Sequence, residues 1–290
     1  MPKTKKEKIL ITGATGFIGS WVVRFLLKKN IKIITSSRDI DKATKQDWFD
    51  KVEYIPFDIN SKVSKNLFKY FNEPDSLIHL SWDGLPNYNK LYHIEQNLPN
   101  NYAFLKNLIV NGLNDVTIAG TCFEYGIRNG CLSEEACANP LTSYGIAKDS
   151  LRKFMYALNR EYEFKLRWLR PFYVYGPGQN ENSLFGQLDK AITKKNKEFN
   201  MSSGEQLRDY LKVDIMAEYI GLIALQDKIL GNINCCSGNP VSIRKLSENY
   251  IAEKKSAIKL NQGFFPMPAY EPLAFWGDDS KLKKIINRKQ

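Results

Sequence analysis

A short apolar strand, a glycine-rich turn and an amphipathic helix open this chain, and in that order they leave few folds open. Lys8–Thr12 reads as the strand and Gly13-Ala14-Thr15-Gly16-Phe17-Ile18-Gly19 as the turn. Ile18, Trp21, Val22, Phe25 and Leu26 then recur at helical spacing. This is the context that a dinucleotide fingerprint requires. The first glycine permits a tight turn, and the second lets backbone amides approach a pyrophosphate at the positive end of the helix. The third allows close helix–strand packing. Thr15, Phe17 and Ile18 complete the expected cradle.

The next apolar run, residues 31–35, ends in Ser36-Ser37-Arg38. Two hydroxyls and a guanidinium suit a 2′-phosphate, so NADP(H) is expected over NAD(H). Asp39 is the competing candidate for the ribose hydroxyls, and it also reads as the N-cap of a short helix. Strands at 52–57, 76–80, 116–119 and 166–169 alternate with helical stretches at 63–71, about 89–111 and 143–161. Such alternation predicts an α/β fold: a doubly wound parallel Rossmann-type sheet with ligands at the carboxyl ends of its strands. Asp58 and Ile59 are expected at the adenine. Leu80, Ser81, Pro171 and Val174 join the expected cofactor set. Residues 1–176 are expected to form the dinucleotide-binding domain and 177–290 a smaller C-terminal α/β substrate lobe, interleaved with the end of the sheet. Helices are expected there near 184–195, 213–225 and 243–252, and short strands near 199–201 and 233–235.

The candidate chemistry lies in Ser143-Tyr144-Gly145-Ile146-Ala147-Lys148. Residues four apart share a helix face, so Tyr144 and Lys148 are expected in one cleft. A nearby ammonium favours the phenolate, which would make Tyr144 a usable proton donor to a carbonyl receiving hydride. Thr121, after the strand at 116–119, offers a second hydroxyl.

Composition closes off other classes. No run approaches the roughly 18 apolar residues of a membrane span. The basic residues 1–6 lead straight into the first strand, without the apolar core of a signal peptide, so a cytoplasmic location is expected. Five cysteines without zinc-type spacing point to reduced thiols and no metal site. The formal net charge of +11 is spread over helix faces and the termini. It forms no basic stripe interleaved with aromatics, so a solvated surface is expected and nucleic acid is not. His79, in an apolar strand, reads as a core residue, and Cys122 as a buried inert thiol. Trp82, Tyr88 and Trp276 are aromatics that could line a sugar site.

With the glycine turn, Thr121, Tyr144 and Lys148 in place, the chain resembles extended short-chain dehydrogenases/reductases of the epimerase/dehydratase family that act on nucleotide sugars. The likeness extends through Arg170-Pro171-Phe172-Tyr173-Val174-Tyr175-Gly176-Pro177 and Gly204-Glu205-Gln206-Leu207-Arg208-Asp209-Tyr210. It implies Thr121, Tyr144 and Lys148 as catalytic residues, and Arg208 as the grip on the diphosphate, with a structural arginine paired to Asp209 or Glu205 as the alternative. It further implies Trp82, Tyr173 and Asn182 at the substrate. Dehydratases follow the hydroxyl with an Asp-Glu pair, whereas this chain has Cys122 and Phe123, with Glu124 one place late. The Cys and His of double epimerases are replaced by Phe123 and Gly178. What remains is carbonyl reduction or a C4 epimerase holding NAD tightly. The segments 120–126 and 270–278 are most similar to reductases of nucleotide-linked 4-keto-6-deoxy sugars, which supply lipopolysaccharide or capsule biosynthesis. Tyr173 stands where many relatives place an Asn. The resemblance also implies a homodimer through two long helices per subunit. A non-catalytic NADP-binding regulator is the rival from another class.

Overall fold

The computed structural model describes residues 7–266 and 272–287. Residues 1–6 and the Tyr270-Glu271 pair of the reductase-like segment lie outside the described residues. Seven parallel strands form the main sheet: β1 (Lys8–Thr12), β2 (Lys32–Ser36), β3 (Glu53–Tyr54), β4 (Ser76–His79), β5 (Asp115–Ala119), β6 (Lys165–Pro171) and β7 (Gly231–Cys235). Their spatial order is β7-β6-β5-β4-β1-β2-β3. The order reverses at β1, so the carboxyl ends of β1 and β4 border the crevice where a doubly wound sheet takes ligands.

Alternation along each strand divides the core between the two faces of the sheet. Ile9, Ile11, Ile33 and Ile78 face one side, packed with Val22, Val23 and Leu26 of α1 (Phe17–Leu27). Leu10, Ile34, Leu77, Val116 and Ile118 face the other, against α2 (Leu98–Val110) and α3 (Ser143–Tyr162). A further helix, α4 (Val213–Leu225), covers α1 with Met216, Ala217 and Ile220. Residues beyond 176 therefore supply both a helix and the strand β7 to the first layer system. The lobe has its own core, built from Phe185, Leu188, Phe199, Ile243 and Tyr250. It also carries a four-stranded sheet to which the earlier segment contributes Gly130–Leu132.

Several elements are shorter than sequence pattern predicts. The strand expected over 52–57 keeps only Glu53–Tyr54, although the Ile55 and Phe57 amides still donate to the Thr35 and Ser37 carbonyls. The helix expected over 63–71 shrinks to Leu67–Tyr70, started by the Asn66 side chain, which accepts from the Lys69 amide. The long helix expected from about 89 is interrupted by a π turn, His93–Asn97, before α2 begins.

The turn after β1 depends on one close approach. A Cβ added to Gly19 would stand 2.1 Å from the Gly13 carbonyl oxygen, on backbone that cannot give way. Gly19→Ala should therefore lower the unfolding free energy by about 1–3 kcal/mol, read as a reduced urea midpoint. An unchanged midpoint would mean that helix and turn are not in contact.

Candidate active site

The carboxyl ends of β1, β2 and β4 enclose a groove of about 280 Å³. Gly13, Thr15 and Gly16 form its floor, and Ser36, Ser37 and Arg38 one wall. Asp58 and Ile59 lie along it, and Leu80, Ser81 and Trp82 close the inner end. Phe17, Ile18 and Gly19 do not line it: they open α1 beneath the turn, with Gly19 buried against Gly13. Pro171 pairs with Cys235 in the sheet and Val174 packs on the core, so neither borders the groove. The floor suits a dinucleotide pyrophosphate, because a glycine turn at a helix N-terminus presents amides without side-chain obstruction.

The Arg38 wall does not suit a 2′-phosphate. The Arg38 guanidinium donates to Asp83 Oδ2 at 2.7 Å, and Asn60 Nδ2 donates to the same oxygen at 3.0 Å. The Ser37 hydroxyl is shared with Tyr54 Oη at 3.0 Å. Asp39 caps the next short helix by accepting from the Lys42 amide at 2.9 Å. Asp39, Asp58 and Asp83 all line the groove, so the cations Arg38 and Lys42 are matched by acid.

A second cavity, about 430 Å³, opens beside Tyr88 and Phe123. Phe123, Ile127, Leu141, Tyr173 and Phe275 give it an apolar wall, and Asn87–Lys90 a polar one. Tyr88 and Tyr173 line this cavity, whereas Trp276 sits in the lobe sheet. Asn182 is exposed on the loop before Leu184–Thr193, its carbonyl accepting from Gln187, and does not border this cavity. Arg208 is buried, donating to the Leu207 carbonyl at 2.9 Å, with its guanidinium 5.9 Å from the Tyr173 ring. Glu205 pairs with Arg244, and Asp209 accepts from the Ser237 and Gly238 amides.

Tyr144 lines neither space but touches residues of both, Trp82 of the groove and Tyr88 and Phe123 of the cavity. Rings of His93, Tyr88, Trp82 and Phe123 surround it at centroid distances of 5.4, 5.7, 6.1 and 6.2 Å. The helix that carries it is started by Thr142, whose hydroxyl accepts from the Gly145 amide. Gly145 is needed because a Cβ there would lie 2.9 Å from the Phe123 carbonyl oxygen. The Thr121 side chain lies near enough to the phenol to favour its ionised form against burial. Thr121 is itself held in a capping box: its hydroxyl accepts from the Phe123 amide, and its own amide donates to Glu124 at 2.9 Å. Sequence reading considered Glu124 only as a misplaced catalytic acid, and overlooked Asp83 because no local pattern marks its partner.

The expected pull of Lys148 on the phenol is not what this geometry gives. Both groups are buried. Desolvation pushes the Tyr144 phenol well above its ordinary value, with the Thr121 hydrogen bond opposing, and draws Lys148 down to about 7. The amine donates to the Ala119 carbonyl at 2.7 Å and lies 3.9 Å from the Trp82 ring centroid. Cys122 is buried, its thiol raised by burial, and His79 is a buried core residue drawn down to about 3. All five cysteines are free. Among the described residues no helix is long and apolar enough to cross a membrane, and no metal-binding cluster occurs. Because Lys148 titrates lower folded than unfolded, the unfolded chain binds the extra proton between about pH 7 and 10.5, and stability should rise with pH across that window. Denaturation of the wild type against Lys148→Met should show the difference shifting in favour of wild type from pH 7 to 10; a constant difference contradicts the desolvated amine.

Comparison with known proteins fits this layout. The sequence profile of the NAD dependent epimerase/dehydratase family matches residues 9–236. The chain is 32% identical over 274 residues to a dTDP-6-deoxy-L-talose 4-dehydrogenase (NAD(+)) of Aggregatibacter actinomycetemcomitans, covering 93% of this chain and 98% of that one. It is 27% identical over 290 residues to a GDP-6-deoxy-D-talose 4-dehydrogenase of the same organism, covering 96% and 91%. Among solved structures, UDP-glucuronic acid 4-epimerase from Bacillus cereus, in complex with UDP-glucuronic acid and NAD, superposes with a TM-score of 0.80 at 24% identity, over 97% of this chain and 93% of that one. The expectation of NADP(H) is thereby overturned: the family is NAD dependent, the solved relative holds NAD, and Arg38, which was to meet the extra phosphate, is occupied by Asp83. A glycine turn on a parallel sheet, with Thr121 and Tyr144 meeting beside it, belongs with the matching profile: the chain is a member of the NAD dependent epimerase/dehydratase family.

Proposed function

We propose that this protein is an NAD(H)-dependent oxidoreductase that reduces the C4 keto group of a nucleotide-linked 6-deoxy hexose. The observation that carries the reading is the buried Thr121–Tyr144 pair, placed between a glycine-floored groove and an apolar cavity. The Gly13–Gly19 turn would hold the pyrophosphate, Asp58 and Ile59 the adenine, Ser36 and Ser37 the adenosine ribose and Lys148 the nicotinamide ribose. Bound NAD(H) supplies the hydride exchanged with C4. Tyr144 gives its proton to the C4 oxygen while Thr121 donates a hydrogen bond to the same atom. Burial keeps the phenol protonated at neutral pH, the form needed when a ketone becomes an alcohol. Each donor aimed at the developing alkoxide is worth about 3 kcal/mol.

Phe123, Ile127 and Leu141 form an apolar wall that suits a methyl group at C6. The names of two relatives, both dehydrogenases of 6-deoxy-talose nucleotides, support the same substrate class. In this reading Arg208 meets the diphosphate, Tyr173 the sugar, and the product feeds surface polysaccharide synthesis from the cytoplasm. Exposed apolar residues Val110 of α2 and Ile146 and Phe154 of α3 support a homodimer through these helices.

Loss of NADH absorbance with a panel of nucleotide-linked 4-keto-6-deoxy sugars tests the reaction. Tyr144→Phe should lower turnover by roughly a hundredfold or more while leaving NAD binding largely intact. A near-normal rate in that variant overturns the scheme. Net interconversion of C4 epimers, with NAD retained through purification, would instead identify an epimerase. Sedimentation at micromolar concentration should show a dimer; monomer alone would remove the helix-face interface.

A further inference from the structure

His93 is fully buried and bonds to both walls of the partition that carries Tyr144. Its Nδ1 receives Trp82 Nε1 at 3.1 Å and Asn97 Nδ2 at 3.2 Å. An indole N–H can only donate, so Nδ1 must be the bare acceptor and Nε2 must carry the proton. That proton points at the Asn87 carbonyl, 3.1 Å away. One tautomer of a neutral ring therefore satisfies every contact. An imidazolium would set an N–H against the Trp82 N–H, and burial, the largest influence on this ring, disfavours that charge.

The two partners belong to different walls. Trp82 lines the groove, and its ring faces the Lys148 amine at 3.9 Å. Asn87 lines the second cavity, in a loop pinned to the start of α3 by the Tyr144 amide donating to the Tyr88 carbonyl. The His93 ring also packs on Tyr144. His93 begins the π turn His93–Asn97. Such turns recur at functional sites.

We propose that His93 is a positioning residue: as the neutral Nε2–H tautomer it locks Trp82 to the loop at Asn87, and so fixes the Tyr144 phenol and the Lys148 amine between cofactor groove and substrate cavity. The proposal rests on the function read above, but its first test does not. The chain has two histidines, so ¹⁵N-histidine NMR at pH 7 with His79→Asn for assignment reports the tautomer directly. A neutral Nε2–H ring at His93 is expected, and an Nδ1–H ring or an imidazolium overturns the lock. In the second test, His93→Phe and Trp82→Phe each keep a ring but break the shared bond. Each should lower kcat by roughly ten- to a hundredfold with KM for the sugar nucleotide little changed. The double variant should be no slower than the slower single, because both remove one coupling. Multiplying losses, or losses that follow thermal stability with kcat intact, overturn the proposal. If wild type reduces no sugar nucleotide, the proposed function fails while the NMR result still decides the lock.

Discussion

A carboxylate without exposed surface holds Thr121 in its place. Glu124 Oε1 accepts from the Thr121 amide and from Trp168 Nε1, both at 2.9 Å, and Oε2 accepts from Arg170 Nε at 2.8 Å. The three donors come from the turn after β5 and from β6, so the side chain ties the end of one strand to its neighbour. Burial lifts Glu124 above the usual carboxylate range even with Arg170 opposing, which marks how much solvation it has given up. Arg170 in turn lies 4.4 Å from the Tyr125 ring centroid. Removing one member of such a pair costs about 3–5 kcal/mol, because the other charge is left buried and alone. Thr121 and its hydroxyl owe their place to this hub rather than to any local preference of their own.

How much could be read in advance follows from which forces act locally. The strand, turn and helix at the start are legible because glycine spacing and apolar periodicity are local signals, and α4 falls on the expected residues 213–225. The π turn is not legible. It is stabilised by bonds of Asn97 and Asn101 with residues far along the chain, among them Asp83 and His79. Glu124 was noticed for a role it lacks, because a sequence shows that an acid is present but not that Trp168 and Arg170 come to meet it.

Charge shows the same limit twice. Arg38 read as a phosphate ligand because its partner, Asp83, lies 45 residues away on another loop. An exposed pair of this kind adds little stability, yet it is enough to change which adenosine ribose the groove suits. Tyr144 and Lys148 are brought to one face by helix spacing, as expected. Their depth of burial was not legible, and it leaves a protonated phenol on the same helix as an amine that is easily discharged.

The late arrival of β7 has a consequence for synthesis. Cys235 pairs with Pro171 and Gly231 with Arg167, so one edge of β6 stays open until the ribosome has released some sixty further residues. The apolar side of α1, which ends at Leu27, waits longer still, until α4 begins at Val213. A nascent chain halted between these points would expose a bare strand edge and an uncovered helix, both invitations to aggregation. The lobe is thus not an appendix added to a finished domain. Its translation closes the sheet that precedes it.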